Sequence, residues 1–443
     1  MPPREGSLEA PTRHPIDWKS KDFYNQDALN KELERVFDLC HGCRRCVSLC
    51  NAFPTLFDLV DENPTMEVEG VDKADYQKVV DSCYLCDLCF MTKCPYIPPH
   101  EWNIDFPHLM LRAKAVKFQK EGAKLRDKIM TSTDAVSKTI AKPLVAPIIN
   151  AAAKTPVLRK ALDYIIDIDQ DAWLPPYTSK PLIARLKDRR ESDVKGEPAG
   201  STSGKVALFA TCYSNFNEPH HGEDLVAVFE HNNIPVTIAE KERCCGMPKL
   251  ELGDLEAVDK LKKFNIPILA RLVDQGWDIL APVPSCALMF RQELPLMYPD
   301  DADVQKVAKA VFDPFEYLML REKAGKFNSD FKSDLGKVAY HVACHQRVQN
   351  IGPRTRQALE MVPGTEVTVI ERCSGHDGTY AMKSEHRKDA LKILRPVTRK
   401  VDAVDADNIC SDCPMAAHHI AANLENKKEA AHPISLLRRA YDI

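Results

Sequence analysis

No Gly-x-Gly-x-x-Gly fingerprint occurs anywhere in the 443 residues. The chain therefore has no flavin or nicotinamide cradle of its own and cannot by itself accept a hydride. A phosphate loop is missing too: Gly200 to Lys205 is one residue short, lacks the Ser or Thr after the lysine, and precedes a strand pattern instead of following one. Charge of either sign is not in excess. The 60 Lys and Arg against 64 Asp and Glu, net −4, exclude a nucleic-acid surface. Long apolar runs are lacking as well, since the longest, Pro143 to Ala153, is bounded by Lys142 and Lys154 and falls far short of the ~20 residues a membrane span needs. Met1 to Ser20 is polar and proline-bearing, with no apolar h-region. No secretory signal is expected, and a reducing cytoplasmic compartment follows, in which cysteines ligate metals instead of pairing. With 44% hydrophobic residues the chain can bury the cores of about two to four domains, so it is no small disulfide-stapled scaffold.

What the sequence has is cysteine, sixteen in all. Cys40, Cys43 and Cys46 recur every third residue with Cys50 four further on, and Cys83, Cys86 and Cys89 repeat the rhythm before Cys94-Pro95. Three thiolates on a short loop can converge on three corners of a [4Fe-4S] cube while the fourth of each run ligates the other cluster. One cluster is thus expected on Cys40, Cys43, Cys46 and Cys94, and the second on Cys83, Cys86, Cys89 and Cys50. Zinc ribbons or a disulfide framework are the plainer alternatives, but zinc sites favour widely separated pairs over triplets. After Cys50 the usual proline is displaced to Pro54, which removes no ligand.

Along the chain, residues 1–27 read as a flexible or draped arm with Pro2, Pro3, Pro11 and Pro15. Leu29, Leu33, Val36 and Phe37 recur at helical spacing and deliver a helix to the first cysteine run. Tyr76 to Val80 does the same for the second. Residues 28–112 therefore read as a helical two-cluster ferredoxin-like domain, closed by a proline-rich tail, Pro95 to Trp102, that wraps a cluster. Residues 113–204 form a helical connecting region and linker with breaks at Pro143, Pro147 and Pro156. Its stretch from Asp127 to Ile165 suits either an amphipathic element on a membrane surface or a helical hairpin packed on the next domain.

The remainder is an internal duplication, 205–330 and 331–443. Strand patterns at Val206–Ala210, Ile234–Ala239 and Asp278–Pro284 run into Cys212, Cys244-Cys245-Gly246 and Cys286. Those at Val338–Ala343, Glu366–Ile370 and Ala406–Ile409 run into Cys344, Cys373, and Cys410 with Cys413. Offsets of 132, 129 and 124 residues separate matching cysteines. Strands alternating with helices imply two small parallel sheets with every cysteine at a carboxyl strand end, where such sheets bind ligands. The expected fold is an α+β multidomain chain: a helical ferredoxin domain followed by two α/β cysteine-rich lobes in pseudo-twofold arrangement. Each lobe offers four thiolates for a further iron-sulfur cluster, with zinc as the alternative.

These motifs resemble a known family. The order Cys, Cys-Cys-Gly, Cys is similar to the cysteine-rich domain of heterodisulfide reductases and of iron-sulfur subunits of glycolate, lactate and anaerobic glycerol-3-phosphate dehydrogenases. Likeness to the C-subunit family of the anaerobic glycerol-3-phosphate dehydrogenases rests on Ala210-Thr-Cys-Tyr-Ser-Asn, Arg243-Cys-Cys-Gly-Met-Pro, Pro284-Ser-Cys-Ala-Leu, Tyr340-His-Val-Ala-Cys-His, Cys373-Ser-Gly-His-Asp-Gly-Thr-Tyr and His432-Pro-Ile-Ser-Leu-Leu. The resemblance covers residues 205–443 well and 28–110 loosely. It implies a protein that carries electrons from a flavoprotein dehydrogenase, or another redox protein, toward quinone, and the membrane reading of Asp127 to Ile165 would place it peripherally on the inner face of the cell membrane. Met289 and Ser374 stand where relatives carry further cysteines, so an ordinary four-ligand cluster is expected over a five-thiolate one. His345 and His376, beside Cys344 and Cys373, are candidates to replace a lost thiolate or to hydrogen-bond a cluster sulfur. His418 and His419 read as structural. Competing expectations are a reductase of a disulfide or peroxide-scavenging partner, and a zinc-stabilised docking module presenting the ferredoxin domain.

Overall fold

The computed structural model describes residues 10–189, 194–239, 241–426 and 428–443. Helix α1 (Gln26–Cys43) starts where the Asn25 side chain accepts the Ala28 amide at 3.0 Å, and it buries Leu29, Leu33, Val36 and Phe37 on one face. It ends as Arg44 swings to φ 52°, just beyond the first two cysteines. Helices α2 (Ala52–Asp61) and α3 (Tyr76–Asp81) pack beside it, and α4 (Phe106–Glu121) runs through the middle. Buried residues occur all around α4: Phe106, Leu109, Met110, Leu111, Ala113 and Val116. A helix apolar on every side must be enclosed by protein. α1 covers it on one side, and on another the chain comes so close that a Cβ at Gly253 would lie 2.6 Å from the Lys114 carbonyl.

Four short helices follow: α5 (Leu125–Thr131), α6 (Thr133–Ile140), α7 (Val145–Ala152) and α8 (Pro156–Ile166). Pro143 and Pro156 interrupt the helical run as expected. Pro147 does not, because it sits in the first turn of α7, where its missing N–H has no partner to lose.

Two four-stranded sheets complete the chain. In the first, β1 (Val206–Leu208), β2 (Val236–Ile238), β3 (Asp278–Leu280) and β4 (Val311–Phe312) are all parallel in the order β2-β1-β3-β4. The second repeats this order with β5 (Lys337–His341), β6 (Glu366–Ile370), β7 (Asn408–Ser411) and β8 (Ala430–Ala431): β6-β5-β7-β8. The fourth strand of each sheet is only two residues long, too short for periodicity to announce. Among the crossover and covering helices are α9 (Pro219–His231), α10 (Met247–Leu252), α11 (Leu255–Asp274), α12 (Ser384–Val404), α13 (Pro414–Ala422) and α14 (Pro433–Tyr441).

Side-chain alternation along the strands sorts the interior into three cores. Ala207, Phe209 and Ile279 face the helical domain, in one continuous core with Phe37, Phe53 and Met110. Val206, Leu208 and Leu280 face the other way and share a core with Val338, Tyr340 and Cys410 of the second sheet. Ala339 and Ile409 turn outward under Leu394 and Val397 of α12.

This parity corrects one expectation. Strand β7 runs on through Ser411, so Cys410 lies inside the strand instead of at its end. There it stands in register between Tyr340 and Ala431, on the face buried between the sheets.

The arm is draped over residues 10–25; residues 1–9 lie outside the described residues. Ile16 N–H donates to the Leu296 carbonyl at 2.8 Å, Trp18 packs edge-on to Tyr298, and buried Arg13 bonds both Asp87 and Asp105. Glu293 of the first lobe lies 3.7 Å from the same guanidinium and 3.1 Å from His108. The linker is also held, with Arg321 donating to the Glu197 carbonyl at 2.8 Å; residues 190–193 lie outside the described residues.

Burial would push Asp105 and Glu293 up, but His108 and Arg13 hold each down at about 2. Their folded values lie below the ordinary carboxylate range near 4. The stabilisation they contribute is therefore present above about pH 4.5 and lost as the pH falls toward 2. Arg13→Met should cost ~3 kcal/mol at pH 7 by leaving buried carboxylates without their cation. The gap between variant and wild-type unfolding midpoints should narrow as the pH drops below about 4.5. A gap independent of pH would assign Arg13 a packing role only.

Candidate metal centre

The α1 terminus presents Cys40 and Cys43, the turn after Arg44 presents Cys46, and Cys94 arrives from the far end of the Cys89–Lys93 turn. These four thiols line one small pocket, walled by Phe53, Phe57, Pro95 and Tyr96. The Cys40 thiol is pushed well up by burial and then by Cys94, Cys46 and Cys43. Of the tail, Pro95 and Tyr96 line this pocket, and Tyr96 packs on Trp102 with ring centroids 4.4 Å apart.

In the second run, Leu85 (φ 57°) and Asp87 (φ 62°) flank Cys86 in left-handed backbone, which folds the loop tightly enough to turn its cysteines inward. Asp87 is held there by Arg13 and by Gln292 at 2.8 Å. Burial raises the Cys89 thiol first, and Cys83, Cys50 and Cys46 add to it. Burial likewise raises Cys50, with Cys83 next. Cys94 thus sits with the first run and Cys50 with the second, the crossed grouping expected from spacing.

The first lobe gathers Cys212, Cys244, Cys245 and Cys286. Their thiols form a chain of hydrogen bonds from Cys212 to Cys244, Cys244 to Cys245, and Cys245 to Cys286. Cys244 is held well below its ordinary value by the Cys212 and Cys245 bonds, while Cys212 and Cys245 are pushed well up. Gly246, at φ 106°, makes the bend that lets adjacent residues serve one site. Asn265 clamps it, accepting the Arg243 amide at 2.9 Å and donating to the Cys244 carbonyl at 3.0 Å. Asp134 of α6 accepts the Cys244 amide at 2.8 Å, and the Thr133 hydroxyl is buried against Cys212 and Cys244. Met289 lies in the core, its methyl 3.5 Å from where a Gly246 side chain would begin.

The second lobe brings together Cys344, Cys373 and Cys413 but not Cys410, which is wholly buried in the core between the sheets. In its place stand polar groups. Cys344, His345 and Asp377 have donor atoms within 4.8 Å of one another. The His345 Nδ1 meets the Ser285 hydroxyl at 2.7 Å while Nε2 has no hydrogen bond, and neither nitrogen of buried His376 has one. Burial lowers His345 and takes His376 down to about 4, so both rings are neutral and have lone pairs to offer. His419 is buried and packs on His376 with centroids 5.3 Å apart.

Both lobes face one chamber of about 380 Å³. Cys212, Cys244, Cys245 and Cys286 lie on one wall, Cys344, Cys373 and Cys413 on another, and α5 to α7 roof it with Ile129, Val136, Ile140 and Ile149. Cys86 interacts with Cys344 and Cys373, and Cys50 with Cys373. The Cys83–Cys89 loop therefore lies beside the second lobe. Sequence reasoning missed Thr133 and Asp134, which no local pattern marks, and Asp377, which stands in the Cys373-Ser-Gly-His-Asp motif.

Residues 206–291 and 338–420 each match the family model of the cysteine-rich domain called CCG. The chain is 28% identical over 344 residues to the C-subunit of the anaerobic glycerol-3-phosphate dehydrogenase of Escherichia coli strain K12, covering 76% of this chain and 82% of that one. Lactate utilization protein A of Bacillus cytotoxicus is 27% identical over 45% of this chain and 82% of its own length. The B-subunit of the fumarate reductase (CoM/CoB) of Methanothermobacter marburgensis is 23% identical over 52% of this chain and 45% of its own.

Cys410 lies away from the chamber that Cys344, Cys373 and Cys413 line. Cys410→Ala should leave bound metal unchanged, whereas Cys413→Ala should lose the second-lobe metal. Metal analysis of the two anaerobically purified variants checks this, and metal loss in Cys410→Ala would return that residue to the ligand set.

Proposed function

We propose that this chain, which carries two CCG cysteine-rich domains and is related in sequence to the C-subunit of the anaerobic glycerol-3-phosphate dehydrogenase, is an iron-sulfur electron-transfer subunit of an oxidoreductase. The observation that carries the reading is the single chamber, faced by thiols of both lobes and adjoining the Cys83–Cys89 loop. No disulfide joins any of the sixteen cysteines, and the first lobe's four mutually bonded thiols form a soft donor set that suits iron-sulfur ligation. Cys40, Cys43, Cys46 and Cys94 would hold one [4Fe-4S] cluster, Cys50, Cys83, Cys86 and Cys89 a second, and Cys212, Cys244, Cys245 and Cys286 a third. Bound there, such clusters supply one-electron transfer.

The protein's own residues keep these sites dry and in sequence. Phe53, Phe57 and Tyr96 exclude water from the outermost set, and Tyr84 packed on Tyr380 seals the seam between the second set and the second lobe. The donor that fits this order is a flavoprotein dehydrogenase or another redox protein docking near Cys40 to Cys46. The acceptor fits the chamber. Its apolar roof of Ile129, Val136, Ile140 and Ile149 suits a lipophilic ring such as a quinone better than a protein disulfide, which could not pass the roof.

One specific observation favours a second reading for the second lobe. With Cys410 withdrawn, three thiols and the neutral rings of His345 and His376 remain, a donor set of zinc type. Iron of about twelve per chain with zinc of about one would support it, and about sixteen iron would support a fourth cluster.

The roof also supports peripheral attachment to the cytoplasmic face of a membrane. No helix among the described residues is long and apolar enough to cross one. Yet Leu144, Ile148, Val157, Tyr164 and Ile165 are exposed on the outer side of α7 and α8 and the turn before them, Leu144 at 82% and Tyr164 at 92%. Exposed Lys128, Lys138, Lys142, Lys154 and Lys160 surround them, the pairing of apolar face and basic rim that anionic bilayers bind.

Cys244→Ser and Cys245→Ser should each lose about four iron per chain and abolish reduction of a soluble quinone analogue. Dithionite should still reduce the Cys40–Cys94 region, as read by electron paramagnetic resonance. Variants that keep full quinone reduction would overturn the function. Separately, the Leu144→Glu, Val157→Glu double variant should cease to co-sediment with vesicles containing anionic lipid while retaining all its iron. Unchanged sedimentation would remove the membrane from the proposal.

A further inference from the structure

Away from the chamber, at the seam between the lobes, the structure places three nitrogen and oxygen donors around one point. Glu218 precedes α9, Pro219 opens it, and His220 and His221 follow. Donor atoms of Glu218, His220 and His221 lie within 4.8 Å of one another, and none of the three lines the chamber. Glu218 and His221 are more than nine-tenths buried, at 8% and 3% exposure. Even so, the Oε2 of Glu218 and the Nδ1 of His221 face each other at 3.5 Å without a hydrogen bond. The buried Tyr213 hydroxyl also faces the Glu218 carboxylate, and a carboxylate oxygen and an imidazole nitrogen held this close in the interior are the arrangement that a shared cation satisfies. The other carboxylate oxygen is already satisfied. Across the seam His418, on α13, meets Oε1 at 2.5 Å and is itself held by stacking on Trp173, centroids 4.9 Å apart. Holding the far oxygen of a ligating carboxylate is how proteins orient such a ligand toward its ion. His432, at the start of α14, packs on His221 at 5.2 Å with its Nε2 also unbonded.

We propose that Glu218, His220 and His221 bind a divalent first-row transition-metal ion of the zinc class. Two imidazoles and one carboxylate are borderline donors of the kind such ions take, and they leave a fourth position open. His220 is exposed and can rotate onto the ion, closing the remaining distance. The ion would tie the first lobe at α9 to the second lobe through the Glu218–His418 bond, independently of any metal held by cysteine.

The test uses the full chain carrying Cys413→Ala, so that no second-lobe thiol site competes for the ion, purified anaerobically with its iron in place, stripped of adventitious metal by a chelator and titrated with Co²⁺. One Co²⁺ per chain should bind with a weak visible spectrum that lacks a thiolate-to-cobalt charge-transfer band. His220→Gln, a surface change that leaves folding intact, should weaken this binding by about tenfold or more. Glu218→Gln should abolish it, and iron content should stay unchanged in His220→Gln. Absence of Co²⁺ binding, a thiolate charge-transfer band, or affinity unchanged in His220→Gln would overturn the assignment.

Discussion

Four thiols packed against one another in a dry interior are the constraint on which the rest of this structure depends. Cys212, Cys244, Cys245 and Cys286 come from three strand ends, and each raises or lowers the titration of its neighbours. Such a group is unfavourable as bare thiols and gains its stability from the metal it can hold. The surrounding architecture serves that need. A parallel sheet delivers loops to one edge, Gly246 bends the double cysteine, Asn265 locks the bend, and Asp134 reaches over from the connecting helices to take the Cys244 amide.

The helical domain is fastened to the lobes by charge as well as by apolar burial. Arg13, Asp87, Asp105, His108 and Glu293 form one buried network that spans the arm, the second cysteine loop, α4 and the first lobe. Each carboxylate there has a cation within reach, which is the condition under which buried charges are tolerated. Because Asp87 is also the left-handed residue next to Cys86, the network that docks the domains shapes the loop that carries the thiols. Position and docking are therefore coupled.

The connecting helices have two faces with different tasks. Inward, Ile129, Thr133 and Val136 close the chamber; outward, Leu144, Val157, Tyr164 and Ile165 face solvent. Single apolar side chains on a surface are ordinary, but several on consecutive short helices, interspersed in sequence with exposed lysines, suit a contact surface. Of the two readings of this stretch in the sequence, packing on the next domain holds for the inner face, and the outer face keeps the surface-binding reading open to experiment.

The sequence by itself determined the parts of this protein that are local. Triplet spacing grouped Cys40 to Cys46 and Cys83 to Cys89, alternating patterns announced six of the eight strands, and similar offsets of 132, 129 and 124 residues revealed the repeat, because ligand loops and strands are written in neighbouring residues. Tertiary structure alone decided which thiols meet. Cys410 looked equivalent to Cys286 by offset, yet strand β7 extends past it, and side-chain parity turns it into the core shared by the two sheets. The nearness of Cys86 to Cys344 and Cys373 and of Cys50 to Cys373, the roof over the chamber, and the meeting of Glu218 with His418 across 200 residues have no sequence signal either. Each depends on how separately formed elements pack, and that is set by the summed burial of surfaces far apart in the chain, not by the pattern of any one segment.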